Sequence, residues 1–165
     1  MNEVMKIFAL GALLCGCARD GVGLSGDSGS LDQRDGGPRC DLQSTLASVA
    51  GPNPMDCGYV RFGEDSQAAD ACAVSAFTAG RPFFVSYDRM GTDSHLVRGL
   101  VQDSSGRLWV IDYDGNTGGG GGDDRPAIDQ QSCDAPAVST SPGDRTQGEM
   151  PIACGSAGAY VRLCP

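Results

Sequence analysis

The chain has 165 residues, with 12 Lys+Arg against 21 Asp+Glu, a net charge of −9 and an isoelectric point near 4.3. Nucleic-acid affinity rests on basic patches that neutralise phosphates, so this balance excludes a nucleic-acid partner as an expectation. Anionic lipid headgroups would also repel the chain, so any membrane link has to come from something other than charge.

The first element in chain order is an apolar run, Ile7 to Leu14 (IFALGALL), behind a short opening that carries Glu3 and Lys6. It is far shorter than the roughly 20 residues a membrane-spanning helix needs. It fits the apolar region of a signal peptide, about 7–15 residues long. Met5-Lys6 makes a cleaner start than Met1, and the processed chain would be the same. Leu14-Cys15-Gly16-Cys17 follows, an aliphatic residue, a tolerant position, a small residue and a cysteine. This resembles the lipobox of bacterial lipoproteins, with Cys15 at a position where Ala, Ser or Thr is usual. The resemblance implies that residues 1–16 are a signal peptide removed before Cys17. It implies a diacylglyceryl group on the Cys17 thiol and an acyl chain such as palmitate on the new amine. Each buried CH₂ contributes about 0.8 kcal/mol, so two or three chains anchor stably where one does not. Ala18 resembles the outer-membrane sorting default rather than the inner-membrane one, which gives an address in the cell envelope.

Residues 17–39 then read as the tether. The stretch ARDGVGLSGDSGSLDQRDGGPR is rich in Gly, Ser and Asp and has too little apolar surface to offset chain entropy. The single Lys of the chain, Lys6, lies ahead of it, so every later basic residue is Arg. A folded domain over 40–165 is expected, a suitable length for one unit. Six cysteines fall in it, Cys40, Cys57, Cys72, Cys133, Cys154 and Cys164. An even number in an exported chain reads as a disulfide framework. No CxxC pair and only one His argue against zinc. Six cysteines permit about 15 pairings. Cys57–Cys72 is the natural first pair because it closes a short loop onto a helix, and a second is expected within Cys133, Cys154 and Cys164. With only 6% aromatic residues, the core is modest and the bridges matter.

Asp41 to Ala50 (DLQSTLASVA) predicts a short helix, capped by Asp41 and ended by Gly51-Pro52. Cys57 to Phe62 predicts a strand. Asp65 to Ala79 predicts the main helix, with Asp65 or Ser66 as cap and Ala69, Cys72, Ala73, Ala76 and Phe77 at helical spacing. Three strands follow, Pro82–Arg89, His95–Gln102 and Arg107–Tyr113, separated by turns at Gly91 and at Asp103–Gly106. Residues 114–132, with glycines 118 to 122, predict a long loop. The tail predicts weaker strands at Ala135–Ser139, Met150–Cys154 and Ala159–Cys164. The sum is an α+β fold, one helix packed on an antiparallel β-meander and stapled by disulfides. The helix-then-meander order over residues 57–113, with the single Trp in the last strand, is similar to small uncharacterised domains of myxobacterial lipoproteins. It also resembles cystatin-like α+β folds, and a fold likeness does not carry an activity.

Four candidates for chemistry stand out. Asp112, Asp114 and Asn116 alternate as in a calcium loop, but the sixth and twelfth positions are Thr117 and Asp123 rather than Gly and Glu. Gly118–Gly122 lacks the Lys-Ser/Thr that a phosphate loop requires, and Asp123-Asp124 would repel phosphate. Asp93, Ser94 and His95 are adjacent in a turn, where side chains point apart, unlike a triad. Arg81, Arg89 and Arg98 would form a basic patch near the strand openings if unpaired, and ion pairs with Asp88 or Asp93 are the expected reading. No catalytic set and no cofactor motif is expected. The function class expected is a non-enzymatic binding or structural module of the envelope, with a protein, peptide or glycan partner. The alternative is a secreted inhibitor-like or calcium-binding module.

Overall fold

The structure, a computed structural model, describes residues 40–115, 126–140 and 143–164. The chain divides into two units, Met1–Gly37 and Pro38–Pro165, and all described residues belong to the second. Its elements are α1 (Leu42–Ala50), β1 (Met55–Val60), α2 (Gln67–Thr78), β2 (Phe83–Arg89), β3 (Leu96–Gln102), β4 (Leu108–Asp114), β5 (Ala127–Val138), a 3-10 turn (Arg145–Gln147), β6 (Ile152–Ala157) and β7 (Val161–Cys164).

One mixed sheet runs β1-β2-β3-β4-β5-β6, with β7 also on β5. β1 pairs with β2 in parallel, and every other pairing is antiparallel. β6 pairs with residues 133–138 of β5 and β7 with residues 128–130. Both lie on the margin of β5 opposite β4. They therefore act as one edge strand interrupted at 158–160, where the Gly158 N–H donates to the Ser132 carbonyl at 3.0 Å.

Every residue of 83–87 is buried, which requires cover on both faces of β2. Two helices supply it. Leu42, Leu46 and Ala50, four residues apart along α1, pack on Phe84, Val97, Val101, Ile111 and Ile128. Ala69, Ala73 and Ala76 of α2 pack on Phe83, Val85, Tyr87 and Leu100. Because side chains alternate along a strand, these clusters lie on opposite faces of the sheet. Both helices were expected, but the expected packing of one helix on the sheet is corrected to one on each face, because strands apolar on both sides need a layer on each. The fold class is α+β with a mostly antiparallel sheet.

Local chemistry explains the helix ends. The Asp41 carboxylate accepts from Ser44 N–H at 2.8 Å, and Gly51, at φ 92°, returns its N–H to the Ala47 carbonyl. Ser66 stands at the cap position of α2 without a side-chain capping bond. Asp65 instead accepts the Gln67 N–H at 2.9 Å. Gly99 lets α1 approach β3, since a Cβ there would lie 2.5 Å from Leu46 Cδ2.

The three disulfides are Cys40–Cys164, Cys57–Cys72 and Cys133–Cys154, with Cα separations of 5.8, 5.5 and 5.1 Å. The expected loop over 114–132 is corrected at its second half. Residues 127–132 are strand, paired to β4 from Asp114↔Ala127 to Trp109↔Ser132. Their polar residues hide the strand, whose burial rests on Ala127, Ile128 and Cys133. Among the described residues no helix is long and apolar enough to cross a membrane.

Candidate functional site

Three neighbouring strands bring one polar side chain each to the α1 face, beyond the reach of α1 itself. Tyr59 comes from β1, Asp88 from β2 and His95 from the residue ahead of β3. The Tyr59 hydroxyl donates to Asp88 Oδ1, and His95 Nε2 lies 2.8 Å from the same oxygen. His95 Nε2 and Tyr59 Oη are 3.2 Å apart. The other carboxylate oxygen, Oδ2, accepts the Phe62 N–H at 3.1 Å, which fixes the carboxylate's orientation. The Asp88 side chain is 13% exposed and that of His95 58%. Burial pushes the Asp88 carboxyl up, but hydrogen bonds from Tyr59, His95 and Phe62 outweigh it and hold the pKa below 3.8. Burial, then the adjacent Asp88, pushes the Tyr59 phenol well up. The Tyr113 ring meets His95 edge-on, with centroids 6.1 Å apart. A solvent-open recess of about 280 Å³ adjoins the cluster, lined in part by Phe62, Met90 and His95.

The opposite face holds a larger groove, about 480 Å³, between β3–β5 and the segment leading into β6. Its walls include Arg98, Val110, Gln131, Met150, Ile152 and Tyr160. Arg98 stands directly across from Asp112 in the β3–β4 register and grips it with two bonds, Nε–Oδ1 at 2.8 Å and Nη2–Oδ2 at 3.0 Å. Its third group, Nη1, donates to the Gly148 carbonyl at 3.3 Å. Burial lowers the Arg98 pKa, and the Asp112 carboxylate more than restores it. Gly148, at φ 84°, is needed there because a Cβ would lie 2.7 Å from Arg89 Nε. A second ion pair braces the same face. Asp70 of α2 receives Arg145 at 2.9 Å and the Tyr87 hydroxyl at 2.7 Å.

These positions redistribute the residues singled out by sequence. All six cysteines of the domain are paired. Cys17, residues 1–39 generally and Gly118–Gly122 lie outside the described residues. Of the calcium candidates, Asp112 is occupied by Arg98 and by Arg89 at 3.4 Å, Asp114 ends β4, and Asn116 lies outside the described residues. Among the described residues no group of three His, Cys, Asp or Glu converges. The expected pairing of Arg89 and Arg98 with Asp88 or Asp93 is corrected to Asp112, because cross-strand register puts Arg98 and Asp112 side by side. Arg81 sits exposed ahead of β2. His95 finds Asp88 and Tyr59 rather than Asp93 and Ser94. Sequence reasoning missed Tyr59, Asp70, Arg145 and Tyr160, and it took Asp88 for an arginine's partner rather than for that of His95 and Tyr59. No local signal links Tyr59 to Asp88 across the intervening helix α2.

No protein-family model matches the chain, and no match to a curated protein or a solved structure was found.

Proposed function

We propose that this chain is an exported lipoprotein of the cell envelope, anchored through lipid on Cys17, and that its folded domain is a non-enzymatic binding module. The observation that carries the reading is the pairing of all six cysteines after Cys17 into Cys40–Cys164, Cys57–Cys72 and Cys133–Cys154. Such bridges form and persist in oxidising compartments outside the cytosol. The pairing also leaves Cys17 without a partner among the domain's cysteines, as a lipid-modified residue requires. The acidic surface is consistent with a membrane link made by acyl chains rather than by charge.

The groove beside Arg98 and Tyr160 supports a binding role. Tyr160 is 60% exposed, and Val161 and Leu163 beside it are exposed as well. An aromatic ring with Gln131 and Arg98 alongside gives the apolar area and the few oriented polar groups that peptide or glycan ligands use. The outer membrane is the address this reading favours.

The test is metabolic labelling with palmitate in the producing cell, followed by fractionation. Label on the protein in the membrane fraction, lost in Cys17→Ser with the protein released to the soluble fraction, is the expected result. Unlabelled membrane-free wild type would sink the anchor. For the binding role, Tyr160→Ala is expected to lower recovery of whatever envelope component the wild type retains. Equal recovery would remove the groove from the account. Millimolar calcium is expected to leave the thermal midpoint unchanged, since Arg98 already holds the Asp112 carboxylate.

A further inference from the structure

The groove between β3–β5 and the segment leading into β6 has a wall chemistry that narrows what it can hold. We propose that it takes a neutral oligosaccharide of N-acetylated hexosamine units, with one sugar face on the Tyr160 ring. The proposal rests on the reading of that groove as the binding surface and names its ligand class.

Charge is the first support. Arg98, Asp112, Asp129 and Arg162 stand side by side across β3, β4, β5 and β7. Arg98 grips Asp112, and Arg162 grips Asp129 with Nη2–Oδ2 at 3.1 Å. Arg89 also reaches Asp112, at 3.4 Å, and Glu149 stands on the groove wall. The cations and carboxylates named here balance, three against three. A charged ligand would give up its hydration and meet no uncompensated partner. A ring bearing hydroxyls instead meets donors and acceptors in one network.

The individual groups fit as well. Tyr160 is 60% exposed, and an aromatic face can cover the apolar C–H side of a sugar ring. Among the described residues, Asp112 and the Gly148 carbonyl engage three of the five Arg98 N–H groups, which leaves two for ligand oxygens. Gln131 Nε2 donates to the Gly158 carbonyl at 2.8 Å, which holds the side-chain amide in place. Its oxygen is an acceptor suited to an acetamido N–H. Val110, Met150 and Ile152 supply the apolar lining for the acetamido methyl.

The position of the groove favours a saccharide over a peptide. Extended peptides commonly add to a sheet edge through main-chain hydrogen bonds. The floor here is a sheet face, where β3, β4 and β5 already pair with one another. Recognition therefore falls to side chains, which suits a ring with hydroxyl and acetamido groups. The groove's 480 Å³ lies within the range of about 300–1,000 Å³ usual for ligand sites.

The experiment titrates the purified full-length protein calorimetrically with the N-acetylglucosamine trimer and with the glucosamine trimer. Salt is kept at about 0.15 M to screen exposed charges. The acetylated trimer is expected to bind one-to-one with a Kd below about 1 mM. The glucosamine trimer is cationic and lacks the acetamido groups. It should bind at least about tenfold more weakly, although the acidic chain attracts cations. Tyr160→Ala should weaken the acetylated trimer about tenfold or more, whereas Tyr160→Phe, which keeps the ring, should retain most of the affinity. No binding of the acetylated trimer, equal or tighter binding of the glucosamine trimer, or equal losses in the two Tyr160 variants would each overturn the proposal. So would wild-type affinity in Tyr160→Ala. If the saccharide fails while an envelope component is still retained through Tyr160 and displaced by acetyl-trialanine amide, the groove reading stands and its ligand is a peptide. If neither experiment depends on Tyr160, the groove reading falls with the saccharide.

Discussion

Asp103 accepts four hydrogen bonds, from the Ser105 N–H and hydroxyl, the Arg107 N–H and Trp109 Nε1. Burial raises its pKa, but these donors outweigh that and leave it lowered from 3.8. A carboxylate depressed in the folded state contributes stability above its unfolded pKa, and that contribution is lost as pH falls through the folded value. Asp88 and Asp41 are shifted the same way, Asp41 chiefly by Ser44. The urea midpoint is therefore expected to hold from neutral pH to about 4 and to fall below it. Asp103→Asn should unfold more easily at pH 7 and show a shallower acid decline, and an unaltered slope would contradict this. Asp70 matters for a different reason. Removing it leaves the buried Tyr87 hydroxyl and the nearly buried Arg145 without their shared acceptor. Asp70→Ala should cost about 2–4 kcal/mol in equilibrium unfolding, and a loss under 1 kcal/mol would make the cluster a surface pair. Little of this was legible in sequence. His95 stood out only as the single histidine, and its partners depend on a parallel pairing that local pattern does not reveal.

At the level of elements, close packing of α1 on β3 hangs on one glycine. Gly99→Ala would force its Cβ into Leu46, so a destabilisation of about 1–3 kcal/mol is expected. Leu46→Ala alone should cost about 2–5 kcal/mol. The double variant should lose less than the sum, because the added methyl enters the space the leucine leaves. Strict additivity in thermal unfolding would show that the two side chains do not meet. The elements best read from sequence have local punctuation. Asp41 and Gly51 bracket α1, and alternation marks β2, β3 and β4 within a residue or two. β5 was half lost because its pattern is polar and it begins directly after a glycine-rich stretch. The helix α1 was found, but its role was not, since its use as a second layer follows from burial of β2 on both faces. The parallel β1–β2 pairing was equally hidden.

For the whole molecule, the bridges differ in the length of chain they close. Cys40–Cys164 spans 124 residues and joins the start of α1 to β7, whereas Cys57–Cys72 spans 15. Chain entropy gives about 5 kcal/mol for the long loop and about 3 for the short one. The Cys40→Ser/Cys164→Ser variant should thus lose more stability in urea than Cys57→Ser/Cys72→Ser, and the reverse order would mean that native contacts decide. The cysteine count was legible in sequence and so was the Cys57–Cys72 pair, but the closure of the domain's two ends was not. That closure completes the pairing on which the proposed anchor rests. The most direct measurement is the intact mass and N-terminal peptide of the protein purified from its producing cell. A chain beginning at Cys17 with a diacylglyceryl adduct on its thiol is expected. A chain still carrying residues 1–16, or one with an unmodified Cys17, would contradict it.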